Sequence, residues 1–174
     1  MKQAVPVSRY LVYLAIAVGV CATDLGTKSW MFAHLGMPDG REPWWLWHGV
    51  FGFQTSLNRG ALFGMGQGMV AVFAALSIAA AIGIASWLFV FGAARDWLLT
   101  IALALVTAGI LGNLYDRLSP LHAVRDFILV MIGNWPWPTF NVADSSLVCG
   151  AILLIWHSLF VKTECECQGE ETGA

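Results

Sequence analysis

The chain has 174 residues, of which 58% are hydrophobic and only 11% charged, with a mean hydropathy of +0.70. That balance excludes a soluble domain and describes an integral membrane protein long enough for one domain. A formal net charge of -2 with no basic stripe excludes nucleic acid as a partner.

Four stretches are long enough to cross a hydrocarbon layer of about 30 Å at about 1.5 Å per helical residue. The first, over 10–33, is apolar until Thr23 and then carries Asp24 and Lys28. Lys2 and Arg9 before it resemble the start of a secretory signal, but continuation through Asp24 and Lys28 makes it a retained span. Residues 50–57 alternate, with Phe51, Phe53, Thr55 and Leu57 on one side, which predicts a strand within a β region over 44–66. The second span, 69–92, has no charge; the third, 97–115, follows Asp96; the fourth, 143–161, leads to Lys162. Residues 1–163 then form one membrane domain, and the polar 164–174 segment is expected to be a disordered cytoplasmic tail. Trp44, Trp45, Trp47, Trp135 and Trp137 fit interfacial anchors.

In four alternating spans, the end of the first, the start of the second, the end of the third and the start of the fourth share one membrane face. The unusual polar residues all fall there: Asp24, Lys28, Asn58, Arg59, Asn113, Asp116, Arg117, Asp126, Asn141 and Asp144. Basic residues divide four against five between the faces, so their count does not orient the bundle. Lys2 and Arg9, preceding the first span, favour a cytoplasmic N-terminus; both termini are then cytoplasmic and the polar face is outward.

An ionisable group near lipid depth is costly and needs a compensating role. Carboxylates close together in sequence and membrane-embedded, as in the stretch from Gly112 to Ser145, suggest acid/base chemistry. The other groups have plain structural readings. Asp24 and Lys28 are four apart on one helical face, the spacing of a salt bridge. Asp116 and Arg117 could form a helix-ending ion pair, and Asn58 and Asn141 could simply end elements.

The blocks DLGTK at Asp24 to Lys28, NRGALFG at Asn58 to Gly64, GNLYDR at Gly112 to Arg117, VRDF at Val124 to Phe127 and FNVADS at Phe140 to Ser145 together resemble the lipoprotein signal peptidase (signal peptidase II) family. They stand in that family's order and approximate spacing. The chain departs from it at Leu62, in the tryptophan-rich segment before Val50 and in the Cys-Glu-Cys tail. The resemblance implies a mainly α, integral membrane fold of four transmembrane helices with a small extracytoplasmic β-sheet. It also implies an aspartic endopeptidase of the bacterial inner membrane, with Asp126 and Asp144 as the catalytic pair. Asn58, Asn113, Arg117, Asn141, Asp24, Lys28 and Asp116 then bind substrate or support the site. The implied substrate is a prolipoprotein whose cysteine carries diacylglycerol, cut just before that cysteine. Membrane lipid is the other implied partner and globomycin the implied inhibitor; bundle size and a single site allow a monomer, and no metal or cofactor is expected.

Other chemistries find no support in the residues. Cys21 and Cys149 lie in spans and read as small apolar residues; Cys165 and Cys167 are too few for structural zinc. His34, His48, His122 and His157 form no metal-binding pair, and the Gly64, Gly66, Gly68 run reads as a turn or close packing. A proton-coupled transporter using intramembrane aspartates is the alternative, but it predicts acids near the midplane and often an internal repeat. A structural membrane subunit would not need both aspartates with their flanking asparagines.

Overall fold

Without water, backbone N–H and C=O groups must satisfy one another within a segment, so apolar stretches of this length become helices. In the computed structural model, which describes residues 4–60 and 65–161, four such helices are present. They are α1 (Val7–Leu35), α2 (Val70–Ala85, prolonged by a π-helical turn at Ser86–Val90), α3 (Trp97–Leu118) and α4 (Val142–Trp156, prolonged likewise at His157–Val161). Local signals set their ends. Gly36, at φ 82°, stops α1 in a conformation that a side chain disfavours. Asp96 caps α3 by accepting from Leu99 N at 2.9 Å.

Two helices run further than their hydropathy suggests. The first starts at Val7 and continues to Leu35. The third ends at Leu118 rather than near 115, because Ser119 and Pro120 mark the break rather than the loss of apolar residues. This places Asp116 one turn beyond Asn113, on the same buried face.

Helix α3 is the axis of the bundle, packing on α1, α2 and α4. Its Ala102, Ala104, Ala108, Gly109 and Gly112 let backbones approach closely, the usual basis of helix association in lipid. A Cβ built on Gly109 would lie 2.5 Å from Ala143 O, so α3 and α4 touch nearly backbone to backbone. The outer helices turn Leu76, Ile82, Ile152 and Ile155 outward, where acyl chains would cover them. At the end remote from the polar residues, Tyr13, Leu88, Leu99 and Leu103 form an apolar core, and Tyr13 Oη donates to Thr107 Oγ1 at 2.9 Å.

At the other end sits an antiparallel sheet in the order β1 (Trp44–Trp47), β2 (Phe51–Asn58), β3 (Val124–Ile132), β4 (Trp135–Pro136). The alternation over 50–57 is strand β2. Strands β3 and β4 come from the connection between the third and fourth helices, beyond the 44–66 region expected from sequence. Strand β3 has buried residues on both faces, and VRDFILVMI lacks the period-two pattern that exposes a strand to sequence reading. Register sets Ser56 against Asp126 and Asn58 against Val124, which puts Asn58 diagonally beside Asp126. Trp44, Trp47, Trp135 and Trp137 are exposed around this sheet, where interfacial anchors belong. Gly66 and Gly68 take positive φ in a turn before α2. Leu62 and Gly64, and the 164–174 segment with Cys165 and Cys167, lie outside the described residues.

Candidate active site

Successive residues on a strand point to opposite faces, so β3 sends Asp126 one way and Arg125 the other. Asp126 faces a cavity of about 1000 Å³ between sheet and helices. Asn58, Asn113, Arg117 and Asp144 line the same cavity, together with Trp137 and Phe140. Asp144 arrives there as the third residue of α4, just inside its N-terminus.

Asn141 joins the two aspartates. It is the N-cap of α4: its Oδ1 accepts from Asp144 N at 2.8 Å, while Asp144 Oδ2 accepts from Asn141 N at 3.3 Å, a reciprocal capping box. With its oxygen so engaged, its Nδ2 donates to Asp126 Oδ1 at 2.6 Å. The other two asparagines follow the same pattern. Asn58 Oδ1 accepts from Gly60 N at 2.9 Å, and its side chain hydrogen-bonds Asp126. Asn113 Oδ1 accepts from Lys28 Nζ at 3.0 Å and Asn141 Nδ2 at 3.1 Å, leaving its Nδ2 to donate to Asp144 Oδ1 at 2.8 Å. Each carboxylate thus receives amide N–H groups whose direction is fixed from behind.

Burial pushes the Asp126 carboxyl up to about 8, and the charge of Asp144 acts in the same sense. The hydrogen bonds from Asn141 and Asn58 and the charge of Lys28 oppose that rise without cancelling it. A carboxyl held that high keeps its proton at neutral pH.

Behind the pair lies a charged cluster. Lys28 Nζ is 2.7 Å from Asp24 Oδ2, the four-apart bridge read from sequence, and 3.1 Å from Asp116 Oδ2. Asp24 Oδ1 also accepts from Ala143 N at 2.8 Å, so α1 supplies a cap to the N-terminus of α4. The expected Asp116–Arg117 pair is corrected. Asp116 instead binds Arg125, at 2.9 Å from Nε and 2.8 Å from Nη2, because consecutive helical residues do not face each other. Arg117 donates to Gly60 O at 3.3 Å and stands at the cavity with its guanidinium over Phe73. Arg125 is the participant that sequence reasoning passed over. Its signal was there, as a cation directly beside Asp126 on a strand and therefore bound to face away from the groove.

Fold and site together define a multi-pass membrane protein with a buried and a half-buried carboxylate in a groove at one end of a four-helix bundle. The profile of the family described as Signal peptidase (SPase) II matches residues 16–160, and the chain belongs to that family. It is 44% identical over 166 residues to a lipoprotein signal peptidase of Rhodopirellula baltica, covering 89% of this chain and 74% of that one. A lipoprotein signal peptidase of Polynucleobacter necessarius is 38% identical over 150 residues, covering 84% and 88%. Among solved structures, a bacterial membrane enzyme superposes with a TM-score of 0.76 at 30% identity, covering 91% of each chain. The chain is thus similar to peptidases in sequence and to a membrane enzyme in fold, and a transporter reading has no support.

Proposed function

We propose that this chain removes the signal peptide from diacylglyceryl-modified prolipoproteins, cutting just before the lipidated cysteine, by an aspartic mechanism in which Asp126 and Asp144 are the catalytic pair. The observation that carries this reading is the meeting of two aspartates from different elements in one groove, joined through Asn141. An amide needs a nucleophilic water and a proton donor together, and two carboxylates sharing one proton supply both.

Asp144 stands in the first turn of α4, whose dipole favours an anion, and it is the base. Asp126, held up to about 8, carries the shared proton and is the acid. As water attacks the scissile carbonyl carbon, its proton passes to Asp144 and the proton of Asp126 passes to the carbonyl oxygen. On collapse of the tetrahedral diol, the C–N bond breaks, Asp144 returns its proton to the leaving nitrogen and a diol hydroxyl reprotonates Asp126. Arg117 supplies a cation at the groove for substrate carbonyl groups. The enzyme works as a monomer in the bacterial inner membrane, with both termini cytoplasmic and the groove near the outer face. Globomycin occupies that groove.

The test is cleavage of a lipidated precursor beside binding of globomycin. Asp126→Asn and Asp144→Asn are each expected to bind the inhibitor and to leave the precursor uncut. An amide keeps the carboxylate's size but can neither take the proton of water nor carry the shared one. Near-normal cleavage by either variant sinks the assignment.

A further inference from the structure

The mechanism leaves one fully buried cation unused. Lys28 has a side-chain exposure of 0% and is not among the residues lining the groove. Its ammonium faces three oxygens, of which two, on Asp24 and Asp116, are carboxylates sufficient to pair it. The third is the neutral amide oxygen of Asn113, and this is the contact that leads to the site.

An asparagine amide can turn over with almost no change of shape, exchanging oxygen for nitrogen. Turned over, Asn113 would present NH2 to an ammonium and to the Nδ2 of Asn141, and an oxygen to the carboxylate of Asp144. All three encounters are repulsive, in surroundings where an unmatched polar group is costly. For Asn58 and Asn141 the backbone makes the choice, since Gly60 N and Asp144 N hold their oxygens. Asn113 lies inside α3, where N–H groups are committed to the helix, so a side chain must make it. Charge balance does not require Lys28 to serve the dyad directly, because Asp24, Lys28, Asp116 and Arg125 form a neutral set.

We propose that Lys28 is a positioning residue for the cleavage: by holding Asn113 Oδ1 it aims one amide N–H at Asp144, and it fixes the oxygen that receives Asn141, whose N–H reaches Asp126. This rests on the dyad reading above. Lys28 touches no substrate and acts only through the asparagines.

The experiment is a double-mutant cycle on the full chain, following cleavage of a diacylglyceryl-cysteine propeptide with kcat normalised to the fraction of enzyme that binds globomycin. Lys28→Met alone would strand a carboxylate, so it is combined with Asp24→Asn, whose amide oxygen still accepts from Ala143 N and which keeps the cluster neutral. Both Asp24→Asn/Lys28→Met and Asn113→Ala are expected to lose about 30-fold in kcat with KM within about twofold, and the triple variant to stay within about threefold of either. Wild-type kcat in either variant overturns the proposal, as do losses that multiply in the triple variant. Asn113→Ala leaves the Asp24, Lys28 and Asp116 cluster paired, so wild-type kcat in it overturns the proposal even should the double variant not fold. Asp126→Asn, run in parallel, separates the two readings: if it cleaves normally, the dyad itself fails, whatever the cycle gives.

Discussion

If Asp126 and Asp144 share a proton as proposed, the chemistry is readable as a pH profile. With Asp126 held up to about 8, the proposed acid keeps its proton through neutrality, and kcat/KM should fall as pH rises past about 8. Asn58→Ala removes a hydrogen bond that favours the carboxylate, so this alkaline limb should move to higher pH; a limb that stays put or moves down contradicts the acid role of Asp126. Stability should follow the same group. Its folded value lies above its ordinary value of 3.8, so the unfolded chain gives up the proton first. The stability it confers is complete below about pH 4 and is lost as pH rises towards about 8. Asp126→Asn should therefore flatten the dependence of melting temperature on pH between those limits.

The start of α4 is where elements converge, and its position depends on the α3 glycines as much as on its caps. A Cβ on Gly112 would lie 2.5 Å from Asp24 Oδ2 and 3.2 Å from the Ala143 Cβ. Gly112→Ala must therefore displace the carboxylate that caps Ala143 N and pairs Lys28, and it is expected to destabilise by about 1–3 kcal/mol. Loss of cleavage should accompany the lower melting temperature, because Asp144 moves with the helix start. Asn141→Ala removes the N-cap, costing about 1–2 kcal/mol, and also the amide between the aspartates. Its loss of kcat should far exceed its loss of stability, whereas a proportionate loss would make Asn141 a cap alone.

At the scale of the whole molecule, the polar groups of α1, α3, α4 and the sheet meet at one end of the bundle, and the proposed chemistry needs only side chains found there. Cleavage should therefore survive exhaustive chelation; activity lost with chelator and restored by zinc would refute the aspartic mechanism. The same arrangement makes orientation testable. With the groove facing outward, Cys165 and Cys167 remain cytoplasmic and escape an impermeant thiol reagent in intact cells. Labelling of either would turn the bundle over.

Membrane residence, the four spans, the strand expected over 50–57 and found at Phe51–Asn58, and the gathering of polar residues at one face were legible in the sequence, because hydropathy and period are local properties and costly intramembrane polar groups stand out against an apolar background. The helix ends near 118 and 35 were less legible, since they depend on Ser119 with Pro120 and on Gly36 rather than on hydropathy. Strand β3 was hidden because both its faces are covered, which erases the alternation that would betray it. The partner of Asp116 was misread: Arg117 is its neighbour in sequence, yet helical geometry turns the two apart and brings Arg125 from a strand instead. The direction of each asparagine amide, and with it the way Lys28 reaches Asp144, arose only when α1, α3 and α4 packed, because such a contact is made by groups 85 and 31 residues apart along the chain.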